Sequence, residues 1–194
     1  MPPEPAIDKD PNRQRAGDIW RAAIDPRGTL AHVYLEHRRL DLPDEAALSA
    51  IRFHPCCPFG EDEFPAMVCL VRGIVSNEPQ AIHRTALSPD GVAIKRGGKT
   101  FRVSLGLAAG GTIKIDPDAD VTMGLCVGEG CETVLAGWQM GLRPVWALLS
   151  TAGIGAFPIL PGVDGLHIFR ENSQVQKPSR NARDGGAPVA AKSS

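Results

Sequence analysis

The spacing of apolar positions divides the chain into a short helical beginning and a longer part rich in strands. Apolar residues recur at helical spacing over residues 18–24 and 29–39, and Asp44 is a plausible N-cap for a third helix over 44–50. Beyond residue 50, short apolar runs between turn residues predict strands instead. These strands are expected at residues 51–54, 66–72, 81–87, 100–105 and 111–115.

A different alternation follows the polar linker at residues 116–120. Apolar runs at 123–127, 144–149 and 166–169 predict three strands, with helical stretches at 132–140 and 154–157 between them. Strands that alternate with helices through short connections predict a parallel sheet. We therefore expect an α/β protein. Its predicted parts are a disordered N-terminus (1–16), an α+β domain (17–118), an incomplete three-stranded parallel sheet (119–173) and a disordered tail (174–194).

Glu129 lies in the turn Gly128-Glu129-Gly130, directly after the first of these three strands. Open α/β sheets bind their ligands at the carboxyl ends of strands, and glycine allows a sharp turn and a close approach of the ligand. A carboxylate there can bind a divalent metal ion or act as a general base. The alternative for Glu129 is that it caps the following helix. Glu132 lies one turn further on, and the alternative for it is an interaction with the helix dipole.

Two other groups of residues can contact phosphate. Basic residues concentrate on a predicted hairpin and its surroundings: Arg84, Lys95, Arg96, Lys99, Arg102 and Lys114. They predict salt-dependent phosphate binding, with an ordinary solvated hairpin tip as the alternative. The backbone amides of Ser150-Thr151-Ala152-Gly153 precede a predicted helix and can cradle a phosphate, or Ser150 can simply cap that helix.

Composition narrows the function class only slightly. The net charge of −1 gives no reason to expect nucleic-acid binding through overall charge, so such a surface must be a local patch. Five cysteines without a Cys-x-x-Cys pair, and no signal peptide, favour a reducing cytoplasm. No apolar run is long enough for a membrane span. The five histidines have no metal-ligand spacing and are interpreted as surface or core residues.

Several short stretches, taken in order, carry a family resemblance. In the second half they are Val127-Gly128-Glu129-Gly130-Cys131-Glu132-Thr133, Pro144-Val145-Trp146-Ala147-Leu148, Ser150-Thr151-Ala152-Gly153 and residues 161–169. Residues 123–173 resemble a Toprim domain, the metal-dependent catalytic fold of bacterial-type primases, topoisomerases and some nucleases. Residues 17–115 are similar to the domain that precedes Toprim in primase-like proteins of phages, plasmids and mobile elements.

This resemblance implies a function and a set of site residues. It implies Mg²⁺- or Mn²⁺-dependent nucleotidyl transfer on single-stranded or primed DNA during replication of a mobile element, with nucleotides as substrates and a helicase as a further partner. Glu129 matches the family's acidic residue, the base or metal ligand, while Glu132 and Glu171 are weaker candidate ligands. The implied nucleic-acid-binding residues are Arg84, Lys95, Arg96, Lys99 and Arg102. Arg84 is the sharpest of these because it lies in the matched segment His83-Arg84-Thr85.

One departure from the family pattern limits the expected chemistry. Toprim domains end their third strand in Asp-x-Asp, which binds Mg²⁺, whereas Glu171-Asn172-Ser173 stands here. A serine hydroxyl is a poor substitute for a carboxylate on a hard cation. We therefore expect weak metal binding, impaired catalysis and a truncated or frame-shifted end. The alternatives are a non-catalytic nucleic-acid-binding or scaffold remnant, and a Toprim nuclease that uses the same acidic residues.

Overall fold

A computed structural model describes residues 10–169. Its helices are α1 (Pro11–Ala22), α2 (Leu30–His37), α3 (Cys131–Gln139) and α4 (Thr151–Gly155). Its first strands are β1 (Ile51–Phe59), β2 (Asp62–Gly73), β3 (Pro79–Ala86), β4 (Lys95–Arg96) and β5 (Lys99–Thr100). They are followed by β6 (Arg102–Gly106), β7 (Gly111–Lys114), β8 (Gly124–Gly128), β9 (Val145–Ala147) and β10 (Gly165–Phe169).

One mixed sheet runs through the whole described chain. Its strand order is β10-β8-β9-β7-β2-β3-β6, with β1 also paired to β2, and β4 and β5 form a separate small hairpin. Strand β8 is parallel to both β9 and β10, which confirms the predicted three-stranded parallel arrangement. Strand β7 joins this arrangement to the antiparallel strands, because it pairs with β9 on one side and β2 on the other. The two predicted parts therefore share a sheet.

Alternating side chains of the parallel strands enter two different cores. Cys126 and Val145 belong to the core that contains Val134 of α3, whereas Val127 and Trp146 face a second core against which Ile154 of α4 packs. This alternation follows from the two-residue period of a strand. Because both faces are covered, β8 and β9 are apolar throughout, as buried parallel strands are.

Helix α1 begins earlier than the apolar spacing indicates. Asp10 is its N-cap, accepting a hydrogen bond from the amide of Asn12 at 2.9 Å, and Pro11 opens its first turn. Both are helix start signals, and Ala16 and Ile19 are buried against the sheet. The prediction of disorder over 1–16 is therefore wrong for residues 11–16, while residues 1–9 lie outside the described range.

The predicted third helix over 44–50 is absent from the structure. That segment consists of turns, and Leu48 adopts a left-handed conformation with φ of 70°, which ends any helix there. Its amide bonds instead to the carbonyl of Ile51 at 2.9 Å. Asp44 has no helix to cap and forms an ion pair with Arg27 at 3.2 Å.

Helix length also bears on membrane insertion. Among residues 10–169, no helix is both long and apolar enough to cross a bilayer.

Candidate functional site

The turn after β8 presents Glu129 at the edge of the parallel sheet, as its sequence predicts. Gly128 is buried, Glu129 is exposed, and Gly130 is the N-cap residue of α3 without a side-chain capping bond. The Thr151 hydroxyl donates a hydrogen bond to Oε2 of Glu129 at 3.2 Å. Glu129 therefore does not cap α3, and its carboxylate faces solvent beside the start of α4.

A cleft of about 230 Å³ opens beside this turn. It is lined by residues from β3, β6, the β8–α3 turn, the start of α3 and the segment after β9: His83, Arg102, Glu129, Gly130, Cys131, Glu132 and Leu149. Side chains of both halves of the chain thus meet in one place. Of the predicted site residues, the structure brings Glu129, Glu132 and Arg102 together.

Glu132 is held by two donors that come from distant parts of the chain. The guanidinium of Arg102 donates from Nη2 to Oε1 of Glu132, and the Tyr34 hydroxyl donates to the same oxygen at 2.5 Å. Arg102 Nη2 also donates to Tyr34 Oη at 3.0 Å. The side chain of Glu132 is only 11% exposed and that of Arg102 30%. This triad joins α2, β6 and α3, and it neutralises the Glu132 charge.

The electrostatics of the triad favour its charged form. Burial alone would lower the pKa of Arg102, but the Glu132 carboxylate and Tyr34 together outweigh this effect and raise the pKa. Burial and the Glu132 carboxylate raise the pKa of Tyr34, so its hydroxyl keeps its proton and remains a donor. The Arg102 guanidinium nevertheless has one hydrogen-bond donor without a partner. Its Nε is buried and has no hydrogen-bond partner among the described residues.

His83 lines the same cleft, although its sequence context gave it no role beyond a surface or core residue. Burial, reinforced by the positive charge of Arg102, lowers the pKa of His83 to about 4. Its Nδ1 lies 3.0 Å from the hydroxyl of Ser104, its cross-strand partner on β6. His83 is therefore neutral near pH 7 and contributes hydrogen-bonding capacity instead of charge. The strand alternation places it and Arg84 on opposite faces, a signal that was available from the sequence.

Arg84 lies outside the cleft, which corrects its assignment as the sharpest phosphate contact. It is 5% exposed, donates from Nη1 to the carbonyl of Pro58, and its guanidinium lies over the Phe59 ring at 4.9 Å. A side chain so enclosed does not reach a phosphate on the surface. Its physical role is to pack and bond within the core beneath β1.

Lys114 is also enclosed, against the prediction that it belongs to a basic surface. It donates to the carbonyl of Ile74 at 3.2 Å, pairs with Asp118 at 2.5 Å, and lies 4.4 Å from the centre of the Trp146 ring. The positive charge of Lys114 is therefore neutralised by groups of the protein itself.

The basic hairpin β4–β5 is exposed and reverses at Gly97 and Gly98, both with positive φ. Arg96 forms an ion pair with Asp62 at 2.5 Å and stacks on Phe101 at 4.2 Å. Lys95 and Lys99 have no ion-pair partner within residues 10–169. The charges of these two lysines are therefore available to a ligand.

The described donor set does not fit a resident magnesium ion. Within residues 10–169, no three His, Cys, Asp or Glu side chains come together as a metal site. The Glu129 carboxylate accepts a hydrogen bond from Thr151 and has no ion-pair partner among the described residues, while that of Glu132 is already neutralised by Arg102. Glu171, the other candidate ligand, lies outside the described residues together with Asn172 and Ser173. Mg²⁺ requires several anionic or neutral oxygens in octahedral geometry, which Glu129 alone does not supply.

The segment after β9 forms the far wall of the cleft. Ser150 caps α4 by accepting a hydrogen bond from the amide of Gly153 at 3.0 Å, as the capping alternative predicted. Leu149 has a φ of 64°, an unusual conformation for a branched residue, and it lines both this cleft and a second one of about 370 Å³. Such strain is common where a backbone is shaped around a site.

Four of the five free cysteines are buried, among them Cys69 of β2 and Cys131 at the start of α3. The thiols of Cys69 and Cys131 are 3.9 Å apart. Their hydrogen bond and burial raise the pKa of Cys131, which makes it a packing residue and a poor nucleophile.

Comparison with known proteins identifies the first part of the chain. Residues 10–115 match a domain family described as a domain of unknown function, DUF7146. Neither the curated proteins nor the solved structures contain a match to the chain. The match includes α1, all strands from β1 to β7, and His83 and Arg102 of the cleft, and it ends before Glu129. Because it covers more than half of the sequence, the chain belongs to the DUF7146 family.

Proposed function

We propose that this protein binds single-stranded or primed DNA as a primase-like protein of the Toprim type, with little or no nucleotidyl transfer of its own. The observation that carries the proposal is the position of Glu129. It follows the central strand of three parallel strands and faces a cleft that also contains Arg102. Ligand sites of open α/β sheets occur at this edge. The resemblance of residues 123–173 to Toprim domains supplies the reaction class.

The charges near the cleft support a nucleic-acid ligand. Lys99 and Arg102 are three residues apart, so their Cα atoms are at most about 11 Å from each other. A DNA backbone that contacts Lys95 and Lys99 on the hairpin therefore passes close to the cleft. The chain as a whole carries a net charge of −1, so such binding depends on this local patch and weakens steeply with salt.

Impaired transfer follows from the number of carboxylates. Nucleotidyl transfer of this class needs several convergent carboxylates to place metal ions against phosphate oxygens. Among the described residues, Glu129 has no ion-pair partner and only a hydrogen bond from Thr151, whereas Glu132 is paired with Arg102. The same shortage applies to hydrolysis by a Toprim nuclease, so the geometry favours DNA binding without efficient catalysis over that alternative.

The cellular compartment and the biological process are also part of the proposal. Five free cysteines support a reducing cytoplasm. Replication of a mobile element, with nucleotides and a helicase as further partners, follows from the resemblance alone.

Two assays on the full chain test the proposal. Fluorescence anisotropy with a labelled primed oligonucleotide measures binding at several salt concentrations, and primer extension with Mg²⁺ or Mn²⁺ measures transfer. We expect salt-sensitive binding that Glu129→Gln leaves largely intact, and no robust extension. Absence of binding at low salt contradicts the assigned ligand. Robust extension that Glu129→Gln abolishes contradicts the assigned impairment.

A further inference from the structure

We infer that Arg102 is the phosphate-binding residue of the cleft and that Glu132 is a built-in competitor, which phosphate displaces from it. The inference rests on the proposed function and adds a regulation of the same site. Both side chains line the cleft, and they come from different parts of the fold, β6 and α3. The pair therefore closes the site when no anion is bound.

The geometry of the guanidinium points to a missing anion. An arginine binds a carboxylate or phosphate most strongly through two parallel hydrogen bonds. Here Nη2 alone contacts Glu132, and the buried Nε has no partner among residues 10–169. A phosphate has enough oxygens to occupy both atoms. The present pairing is thus weaker than the one that Arg102 can form with a phosphate.

Tyr34 makes the exchange feasible. A buried carboxylate without any partner carries a large desolvation cost. Glu132 keeps the hydrogen bond from the Tyr34 hydroxyl at 2.5 Å when Arg102 turns to another anion. The hydroxyl therefore stabilises the displaced state.

The charges of the cleft explain why Glu132 restrains binding. Glu129 and Glu132 contribute two negative charges, Arg102 contributes one positive charge, and His83 is neutral near pH 7. The cleft is consequently net negative and opposes an anion until Arg102 is released from Glu132. Neutralising Glu132 removes both the competition and part of the repulsion.

A double-mutant cycle separates competition from simple repulsion. Calorimetry without divalent metal measures the affinity for inorganic tripolyphosphate of the wild type, Glu132→Gln, Arg102→Gln and the double variant. We expect Glu132→Gln to bind about fivefold more tightly than the wild type, and Arg102→Gln to bind at least about tenfold more weakly. In the Arg102→Gln background, Glu132→Gln should add only the part of the gain that comes from reduced repulsion, less than about twofold. An equal gain in both backgrounds, or no gain in either, overturns the inference.

Two further variants secure this result. Tyr34→Phe changes no charge and should weaken tripolyphosphate binding about twofold in the wild type but not in Glu132→Gln. Equal weakening in both backgrounds contradicts the role of the hydroxyl. Asp18→Asn, which removes one negative charge from an exposed ion pair with Arg21, is the matched control and should leave affinity unchanged.

The same variants distinguish this inference from the proposed function. If the tripolyphosphate cycle fails while the wild type binds primed DNA, the exchange between Glu132 and phosphate is wrong. If the cycle succeeds while no DNA is bound, the proposed DNA-binding function is wrong and the anion exchange stands.

Discussion

His83 illustrates how a single residue acquires its properties from the face of the strand on which it lies. Its imidazole shares the cleft with Arg102 and is hydrogen-bonded to Ser104, whereas the adjacent Arg84 is buried on the other face. Burial and the neighbouring positive charge both disfavour protonation. The neutral imidazole is therefore part of the folded state, and stability depends on pH through it.

This dependence gives the first prediction. The unfolded chain binds a proton at His83 below its ordinary pKa of 6.5, whereas the folded chain does so only near pH 4. Stability from this residue is thus complete above pH 6.5 and declines as the pH falls toward 4. The free energy of unfolding of the wild type should fall between pH 7.5 and pH 5. In His83→Gln this fall should be about 1–2 kcal/mol smaller. Urea unfolding of both proteins at the two pH values measures this, and identical pH dependence would refute it.

Asp116 is predicted to be a structural residue despite its position in a linker-like polar segment. It is fully buried and accepts hydrogen bonds from Arg143 Nε at 2.9 Å, the amide of Val145 at 2.8 Å and the Trp138 indole at 3.3 Å. Asp116→Asn should lower the free energy of unfolding by about 2–4 kcal/mol, because it leaves buried donors poorly paired. Asp62→Asn, at an exposed pair with Arg96, is the control and should cost less than about 1 kcal/mol. Chemical denaturation of the two variants compares these values, and equal stability would contradict the structural role of Asp116.

At the scale of single residues, the sequence predicted only those features that follow from the residues next to them in the chain. The Gly-Glu-Gly turn was recognisable because it ends an apolar run, and Glu129 lies where that pattern placed it. The partners of Glu132 were not predictable, since Tyr34 and Arg102 are far away in sequence. Likewise, only the fold reveals that the basic residues Arg84 and Lys114 are enclosed by other side chains.

At the scale of elements, the helix and strand pattern predicted the parallel sheet because buried strands and an amphipathic helix have distinct periods. Two helix predictions failed for specific reasons, one in its first residue and one altogether. Asp10 and Pro11 start α1 before its apolar stripe begins, and the left-handed Leu48 ends the helical pattern over 44–50. Capping and backbone conformation overrode apolar spacing in both places.

The packing of α3 on β10 gives a prediction for the parallel layer. A Cβ atom on Gly137 would lie 2.4 Å from Cζ of Phe169, so an alanine there forces the Phe169 ring out of its present position against the helix. Gly137→Ala should therefore lower the free energy of unfolding by about 1–3 kcal/mol. Gly155→Ala, where a Cβ meets nothing within 4 Å, is the matched control and should be nearly neutral. Thermal or urea unfolding that shows both variants equally stable would argue against this close packing.

At the scale of the whole molecule, the match to DUF7146 ends at residue 115, yet the sheet and the cleft continue past it. Strand β7 lies inside the match and pairs with β9 beyond it. The family domain therefore contributes one wall of the cleft and the parallel strands contribute the other. The proposed DNA binding requires both parts.

The proposed shortage of acidic metal ligands can be tested by introducing the Asp-x-Asp motif of Toprim domains at residues 171 and 173. Glu171→Asp together with Ser173→Asp should strengthen Mg²⁺ binding, because the variant gains one carboxylate at position 173 and carries the two aspartates of the Asp-x-Asp motif. Calorimetric titration of Mg²⁺ into the wild type and the double variant measures the change. Unaltered affinity would mean that Glu171-Asn172-Ser173 does not align with the metal-binding motif.

The most direct measurement of the central claim is the salt dependence of primed-DNA affinity for two charge-matched double variants. Lys95→Ala with Lys99→Ala removes the two hairpin charges that have no ion-pair partner among residues 10–169, while Arg21→Ala with Arg27→Ala removes two charges that are paired with Asp18 and Asp25. We predict that the hairpin variant alone weakens binding and reduces the log–log salt slope by about 0.7–0.9 for each DNA phosphate that a lysine no longer neutralises. Equal slopes for the wild type and both variants would contradict the assignment of this surface to DNA.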